Sequence, residues 1–327
     1  MQFIGREISF GVGVEATRGT ALATADRWVR KTTANVIPRN ERVIDDTTFG
    51  RLEDAERVRT VRKWNEGDVD GILHADVAGY LFTNLYGDVA SEQVATGVHK
   101  HTFELAQNIT HPTLTLFMKD ADVRNTRMAG GVVSQFELNA STDDYVRFSA
   151  SFLAKEEEAS SDTPTLETEY DWVSRDITLK LATTEGGLTG ATAVKAKDLS
   201  VTWNANAEAD WVFGDYSPEN IHNKQFSIEG SFTRNYVDQT FEDLYKSQEF
   251  RYLSLKLAGE ANLGGSNNPE LTLIGNKLQV TDWDRTSTAD DLVTETVSFK
   301  LFYNATDEAQ STVELQNTTE EYVTTAS

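Results

Sequence analysis

Apolar side chains recur in this chain at every second position, which confines most of it to β-strands with one buried face. Leu199, Val201 and Trp203 alternate with polar neighbours, as do Phe226, Ile228 and, past Gly230, Phe232. Val146, Phe148, Ala150 and Phe152 line one face, and so do Val297, Phe299, Leu301 and Tyr303. Leu114-Thr115-Leu116 and Leu253-Ser254-Leu255-Lys256-Leu257 show the same period. Turn-forming runs separate them: Ser141-Thr142-Asp143-Asp144, Gly186-Gly187 and Gly264-Gly265-Ser266-Asn267-Asn268-Pro269. Helical spacing is clear at Val77, Tyr80, Leu81 and Leu85 and weaker at Phe241, Leu244 and Tyr245. A mainly β protein with two short helices is expected.

The pattern is written twice. Phe49-Gly50 recurs as Phe213-Gly214, Phe82-x-x-Leu85-Tyr86 as Phe241-x-x-Leu244-Tyr245, and Leu114-Thr115-Leu116 as Leu253-Ser254-Leu255. Asp143-Asp144-x-Val146-x4-Ser151-Phe152 recurs as Asp290-Asp291-x-Val293-x4-Ser298-Phe299. The four anchors keep their order in both halves, so a duplicated unit is expected, with loops of different length between shared strands. The first half carries an insert over 87–110, and the charged, turn-rich segment 156–173 reads as a linker between the halves.

Composition narrows the chemistry. The 327 residues hold 52 acidic and 30 basic side chains, five histidines and no cysteine, for a formal charge of −22. Without cysteine there are no disulfides, thiolate nucleophiles or cysteine-ligated metals. The start of the chain has no basic and apolar signal pattern, and no apolar run approaches the ~20 residues that span a bilayer, so a protein made in the cytoplasm with no membrane partner is expected. The negative charge opposes tight binding to nucleic acid.

Candidate motifs point to structure rather than catalysis. Gly11-x-Gly13-x-x-Ala16 has dinucleotide-site spacing, but no βαβ unit follows it. His99-Lys100-His101 places a cation between two imidazoles and has no third ligand at a defined spacing. Asp68-x-Asp70-Gly71 is a fragment of a calcium loop and is expected to mark the start of the following helix. Adjacent aspartates on a strand point to opposite faces, so Asp143-Asp144 and Asp290-Asp291 suit turns better than acid–base pairs. Arg57, Arg59, Arg62 and Lys63 form one basic run, expected to pair with acids within the protein. No catalytic, cofactor-binding or metal site is expected, and the chain does not read as an enzyme.

The stretch Gly13-Val14-Glu15-Ala16-Thr17-Arg18-Gly19-Thr20-Ala21, followed by Trp28, resembles the opening of tail tube proteins of long-tailed bacteriophages. Phe241-x-x-Leu244-Tyr245 and Asp290-Asp291-Leu292-Val293-Thr294-Glu295-Thr296-Val297 extend that resemblance across nearly the whole chain. The family is related to the tube proteins of type VI secretion systems. It implies two tandem tube-type β-sandwich or half-barrel units, each with one short flanking α-helix. The divisions would be an N-terminal arm at 1–26, a first unit at 27–155 with its insert at 87–110, an acidic linker at 156–173, a second unit at 174–308 and a C-terminal tail at 309–327.

The resemblance further implies self-assembly into rings, as a trimer with pseudo-sixfold symmetry or as a hexamer. Stacked rings would form a virion tail tube, a negatively lined conduit that viral DNA transits without specific binding. Its partners would be other copies, the tape measure, the tail terminator and the distal tail protein. The arm, insert and linker are expected to be flexible and to order on a neighbouring ring. Acidity fits a non-adhesive lumen, and a saline habitat would also select it. Two alternatives remain open: a two-domain β-sandwich that binds carbohydrate or a cell surface through Trp172, Trp203 or Trp211, and a glycoside hydrolase using two carboxylates.

Overall fold

Two strands, Arg124–Ser141 and Glu270–Thr286, are long enough to run through both layers of the molecule, and the other elements are arranged around them. The structure, a computed structural model, describes residues 2–48 and 50–323. Phe49, one member of the Phe49/Phe213 anchor pair, lies outside the described residues.

The first half runs β1 (Ile8–Val14), β2 (Arg27–Val29), β3 (Thr33–Ile44), β4 (Val58–Ile72), α1 (Ala75–Tyr86), β5 (Gly87–Ala95), β6 (Val98–Leu105), β7 (Leu114–Asp120), β8 (Arg124–Ser141), β9 (Arg147–Ala154) and β10 (Glu157–Ala159). The second runs β11 (Ile177–Ala182), β12 (Ala193–Val194), β13 (Ala196–Asn204), β14 (Glu208–Asp210), β15 (Asn220–His222), β16 (Ser227–Asn235), α2 (Thr240–Ser247), β17 (Arg251–Ala258), β18 (Glu270–Thr286), β19 (Thr294–Leu301) and β20 (Ser311–Asn317).

The pairings repeat. In the first half β1 pairs with β2 and β7, β7 with β8, β8 with β9 and β10, β9 with β4, and β4 with β3. In the second half β11 pairs with β12 and β17, β17 with β18, β18 with β19 and β20, β19 with β16, and β16 with β13. All are antiparallel, as the alternating patterns and short turns require. The protein is mainly β, and its described residues form two tandem sandwich-like units with one α-helix each and no closed barrel.

One layer is a continuous sheet in the order β3-β4-β9-β8-β13-β16-β19-β18, in which β8 and β13 join the two units. The other layer is built from β2-β1-β7-β8-β10 in the first unit and β12-β11-β17-β18-β20 in the second. Phe82, Phe136, Phe152, Trp203, Leu255, Leu273, Phe299 and Val313 belong to a single apolar core that runs through both units. Gly230 lets β13 and β19 close on β16: a Cβ there would stand 2.5 Å from Phe299 Cζ and 2.7 Å from the Ser200 carbonyl.

Segments that composition marks as loose are tied into this framework. The 87–110 insert is the β5–β6 hairpin, and β6 pairs with β20 of the other unit. The 156–173 stretch holds β10, and Asn125 donates from Nδ2 to the Asp162 carbonyl at 2.7 Å. Within 1–26, β1 lies between β2 and β7 with Phe10 and Val12 buried. Within 309–327, β20 joins the sheet and Tyr322 packs edge-on against Tyr80 at 5.0 Å. The physical reason is the same throughout: each segment carries a few alternating apolar residues, and a neighbouring open edge offers backbone partners. The helices differ accordingly. Every residue of α1 is buried, enclosed by β5, β6, β8 and β20, whereas α2 buries only Phe241 and Leu244.

Candidate functional site

The junction between the units is the arrangement with the clearest consequence. Gln135–Ser141 of β8 pair with Asn204–Asp198 of β13. Side chains alternate across that ladder. Phe136 and Leu138 meet Trp203, Val201 and Leu199 on the core face, and all five are buried. On the opposite face Gln135, Glu137 and Asn139 lie across from Asn204, Thr202 and Ser200, and the Ser200 hydroxyl donates to Glu137 at 2.9 Å.

The helix of the first unit fastens the core side. The Phe82 ring meets Phe136 at 5.3 Å and Trp203 at 5.6 Å, both edge-on. Trp203 Nε1 donates to Tyr86 Oη at 3.1 Å, and that hydroxyl also bonds Ser311 Oγ at 2.8 Å. Burial pushes the Tyr86 hydroxyl above its ordinary range, so it stays protonated and able to donate.

The polar face of the eight-stranded sheet is acidic. As far as Arg39 on β3, the register puts Glu66, Asp68, Asp70, Glu137, Asp198, Glu229, Asp282 and Asp284 on it against Arg39, Arg147 and Lys300, and farther along the β3–β4 hairpin it adds the paired Glu41 and Arg62. Serine, threonine and asparagine fill most of the remaining positions. The outer edges of this sheet, β3 at one end and Asp282–Thr286 of β18 at the other, pair with no strand among the described residues.

Buried charge serves to hold segments in place. Arg27 lies 3.0 Å from Asp76 and also pairs with Glu167. Burial raises the Asp76 carboxyl, opposed by Arg27, and pushes Glu169 up to about 7. Glu15 accepts from the Thr113 and Thr115 hydroxyls and from the Gly19 and Gly130 amides, with burial the larger effect and its pKa raised. Arg18 donates to the carbonyls of His111 and Ile221, tying the segment after β1 to both units. Arg234 Nε meets buried Glu295 at 2.6 Å.

The motifs singled out in the sequence are scattered. Gly11 and Gly13 lie on β1, where a Cβ at Gly13 would meet Leu22 and Asp26 side chains rather than a phosphate. His101 on β6 is buried against Ser91, Asn317 and Thr319, and burial lowers its pKa to about 4. Asp68 and Asp70 lie on β4, not at a helix start, accepting from Ser151 and Thr33. Asp144 accepts from the Tyr145 amide and from Arg147 in the turn before β9. Arg57, Arg62 and Lys63 pair with Asp45, Glu41 and Glu156. Among the described residues, no three His, Asp or Glu side chains gather as metal ligands.

Of the tryptophans proposed for sugar contact, Trp172 and Trp203 are buried and Trp211 packs against Trp64 at 5.7 Å, so no exposed aromatic groove arises from them. Sequence reading missed the pairing of the insert with β20 and the Arg27–Asp76 pair. The alternation of Val98, His101 and Phe103 hinted at the first, and nothing local marked the second.

One protein family, described as phage tail tube protein, matches residues 5–301. The chain belongs to the phage tail tube protein family. The match takes in both units and the junction between them. Membership makes the chain a structural component of a virion tail. Nothing matches among curated proteins.

Proposed function

We propose that this tail tube family member assembles with copies of itself into rings that stack into a hollow tube, and that viral DNA leaves the capsid through it. The observation that carries this reading is the β8–β13 junction, where one β-unit already joins the next by strand pairing inside the chain. A unit that ends in an open edge and begins with one continues until the series closes on itself. With two units per chain, three copies make a pseudo-sixfold ring.

The polar face of the eight-stranded sheet lines the lumen in this reading. DNA carries about one phosphate per 1.7 Å of axis, and each lysine or arginine contact adds affinity by counterion release. The excess of carboxylates over cations on this face repels it over a Debye length of about 8 Å, leaving little for sliding DNA to adhere to. The long β3–β4 hairpin, with Val43, Ile44 and Val58 exposed, suits contact with a copy in the next ring. The ends of the tube would meet the tape measure, terminator and distal tail proteins.

Negative-stain microscopy of the concentrated protein tests the reading. Hollow, regularly striated tubes are expected, and strictly monomeric particles at every concentration would contradict it.

A further inference from the structure

We propose that the outer edge of β18 takes the outer edge of β3 from a second copy in one defined register: Asp282 opposite Arg39, Trp283 opposite Pro38, Asp284 opposite Ile37, Arg285 opposite Val36 and Thr286 opposite Asn35. This rests on the reading of the chain as a tube subunit and adds to it which edges meet and how they align.

The register follows from correspondence between the units. Phe152 and Phe299 each pair with a valine on the long strand, Val133 and Val280. In both ladders the register slips one residue later, before Gln135 and before Asp282. Gln135–Asn139 therefore correspond to Asp282–Thr286. On their other side Phe152 and Phe299 pair with Gly67 and Gly230, which pair in turn with Val36 and Val201. Asn35–Arg39 therefore correspond to Ser200–Asn204. The junction inside the chain joins Gln135–Asn139 to Asn204–Ser200, and substituting each residue by its counterpart gives the proposed contact.

The chemistry at those positions is complementary. Arg39 faces Asp282 across the strands, an opposite-charge pair on the polar face. The Pro38 ring lies across from the Trp283 indole, the places that Trp203 and Phe136 hold in the existing junction. The Ala205 amide donates to the Ser134 carbonyl, so alternate amides of β13 aim at β8, that of Trp203 among them. Pro38, the counterpart of Trp203, has no amide hydrogen, which costs the new ladder one bond and blunts the free edge against indiscriminate pairing. The Val36 carbonyl, aimed at the same edge, is held by Arg124 Nη2 at 3.3 Å.

The helices supply an independent observation. Tyr86 is fully buried because the second unit covers it. Its counterpart Tyr245 is 39% exposed, at the end of the chain's own series of units, where the next copy's β3 would lie.

Because the chain lacks cysteine, an introduced pair reports without background. Ile37 and Asp284 correspond to Thr202 and Glu137, a pair lying between ladder bonds, where Cα atoms approach to about 4.5 Å and a disulfide fits. Under oxidation, the Ile37→Cys/Asp284→Cys protein is expected to give covalent multimers on a denaturing gel. The pair displaced by two residues, Ile37→Cys/Thr286→Cys, should give none. Tubes in the microscope with no such cross-link, or with the displaced one, would overturn the register and leave the tube reading standing; no assembly of the unaltered chain would overturn both. Should the cysteine protein fail to fold, charge reversal decides. Arg39→Asp and Asp282→Arg should each lose tubes and the double variant recover them, and failure of the double variant to recover tubes would overturn the pairing.

Discussion

The indole N–H of Trp203 donates to the hydroxyl of Tyr86 at 3.1 Å, fastening a strand of the second unit to the helix of the first. Trp203 also fills the space between Phe82 and Phe136. Trp203→Ala is expected to destabilise the protein by about 3–5 kcal/mol through the cavity it leaves. Trp203→Phe, which loses chiefly the hydrogen bond, should cost about 1 kcal/mol. Urea unfolding of the two variants gives both numbers, and near-neutral values would mean that the units hold together elsewhere.

Arg27 and Asp76 present a different balance, because the Asp76 side chain has no solvent exposure. Arg27→Met strands that carboxylate without its cation and should cost about 3–5 kcal/mol. Adding Asp76→Asn should return part of the loss, since the charge no longer needs a partner. A double-mutant cycle measured by denaturation checks the coupling.

Glu169 gives the protein a pH dependence of definite sign. Its carboxyl titrates near its ordinary 4.5 when unfolded and at about 7 when folded, chiefly because burial disfavours the charged form. The folded state therefore holds the proton longer, and this group's contribution to stability falls as pH rises from about 4.5 to about 7. Glu169→Gln should narrow the difference in unfolding free energy between pH 5 and pH 8. An unchanged difference would mean that Glu169 is solvated in the folded protein.

A lumen built from the acidic sheet face should not hold DNA. Assembled protein mixed with duplex at physiological salt is expected to leave its fluorescence anisotropy unchanged. Binding that weakens steeply with added salt would instead reveal a cationic track, counter to the proposed lining.

Much of this fold is legible in the residues. The alternation at Leu199, Val201 and Trp203 marks β13, and the Asp-Asp-x-Val-x4-Ser-Phe repeat falls in equivalent turns and strands, leading into β9 and β19. The Phe-x-x-Leu-Tyr repeat falls on α1 and α2. What stayed hidden is long-range. That β6 would cross to β20, or that Glu157–Ala159 would add a strand to β8, depends on which edges remain open after the rest has folded. The edges proposed to join are equally hidden in the sequence. Asn35–Arg39 and Asp282–Thr286 become a matched pair only once Gly67 and Gly230 are seen at the same step of two ladders.

The central claim is that one β-unit, present twice, completes itself by joining copies of the same chain. A cryo-electron microscopy map of the assembled protein, at a resolution that separates strands, tests it most directly. The account predicts three chains per ring, with β18 of each running antiparallel beside β3 of the next and the sheet unbroken around the lumen. Rings in which those two edges stay apart, or particles that never pass beyond a single chain, would contradict it.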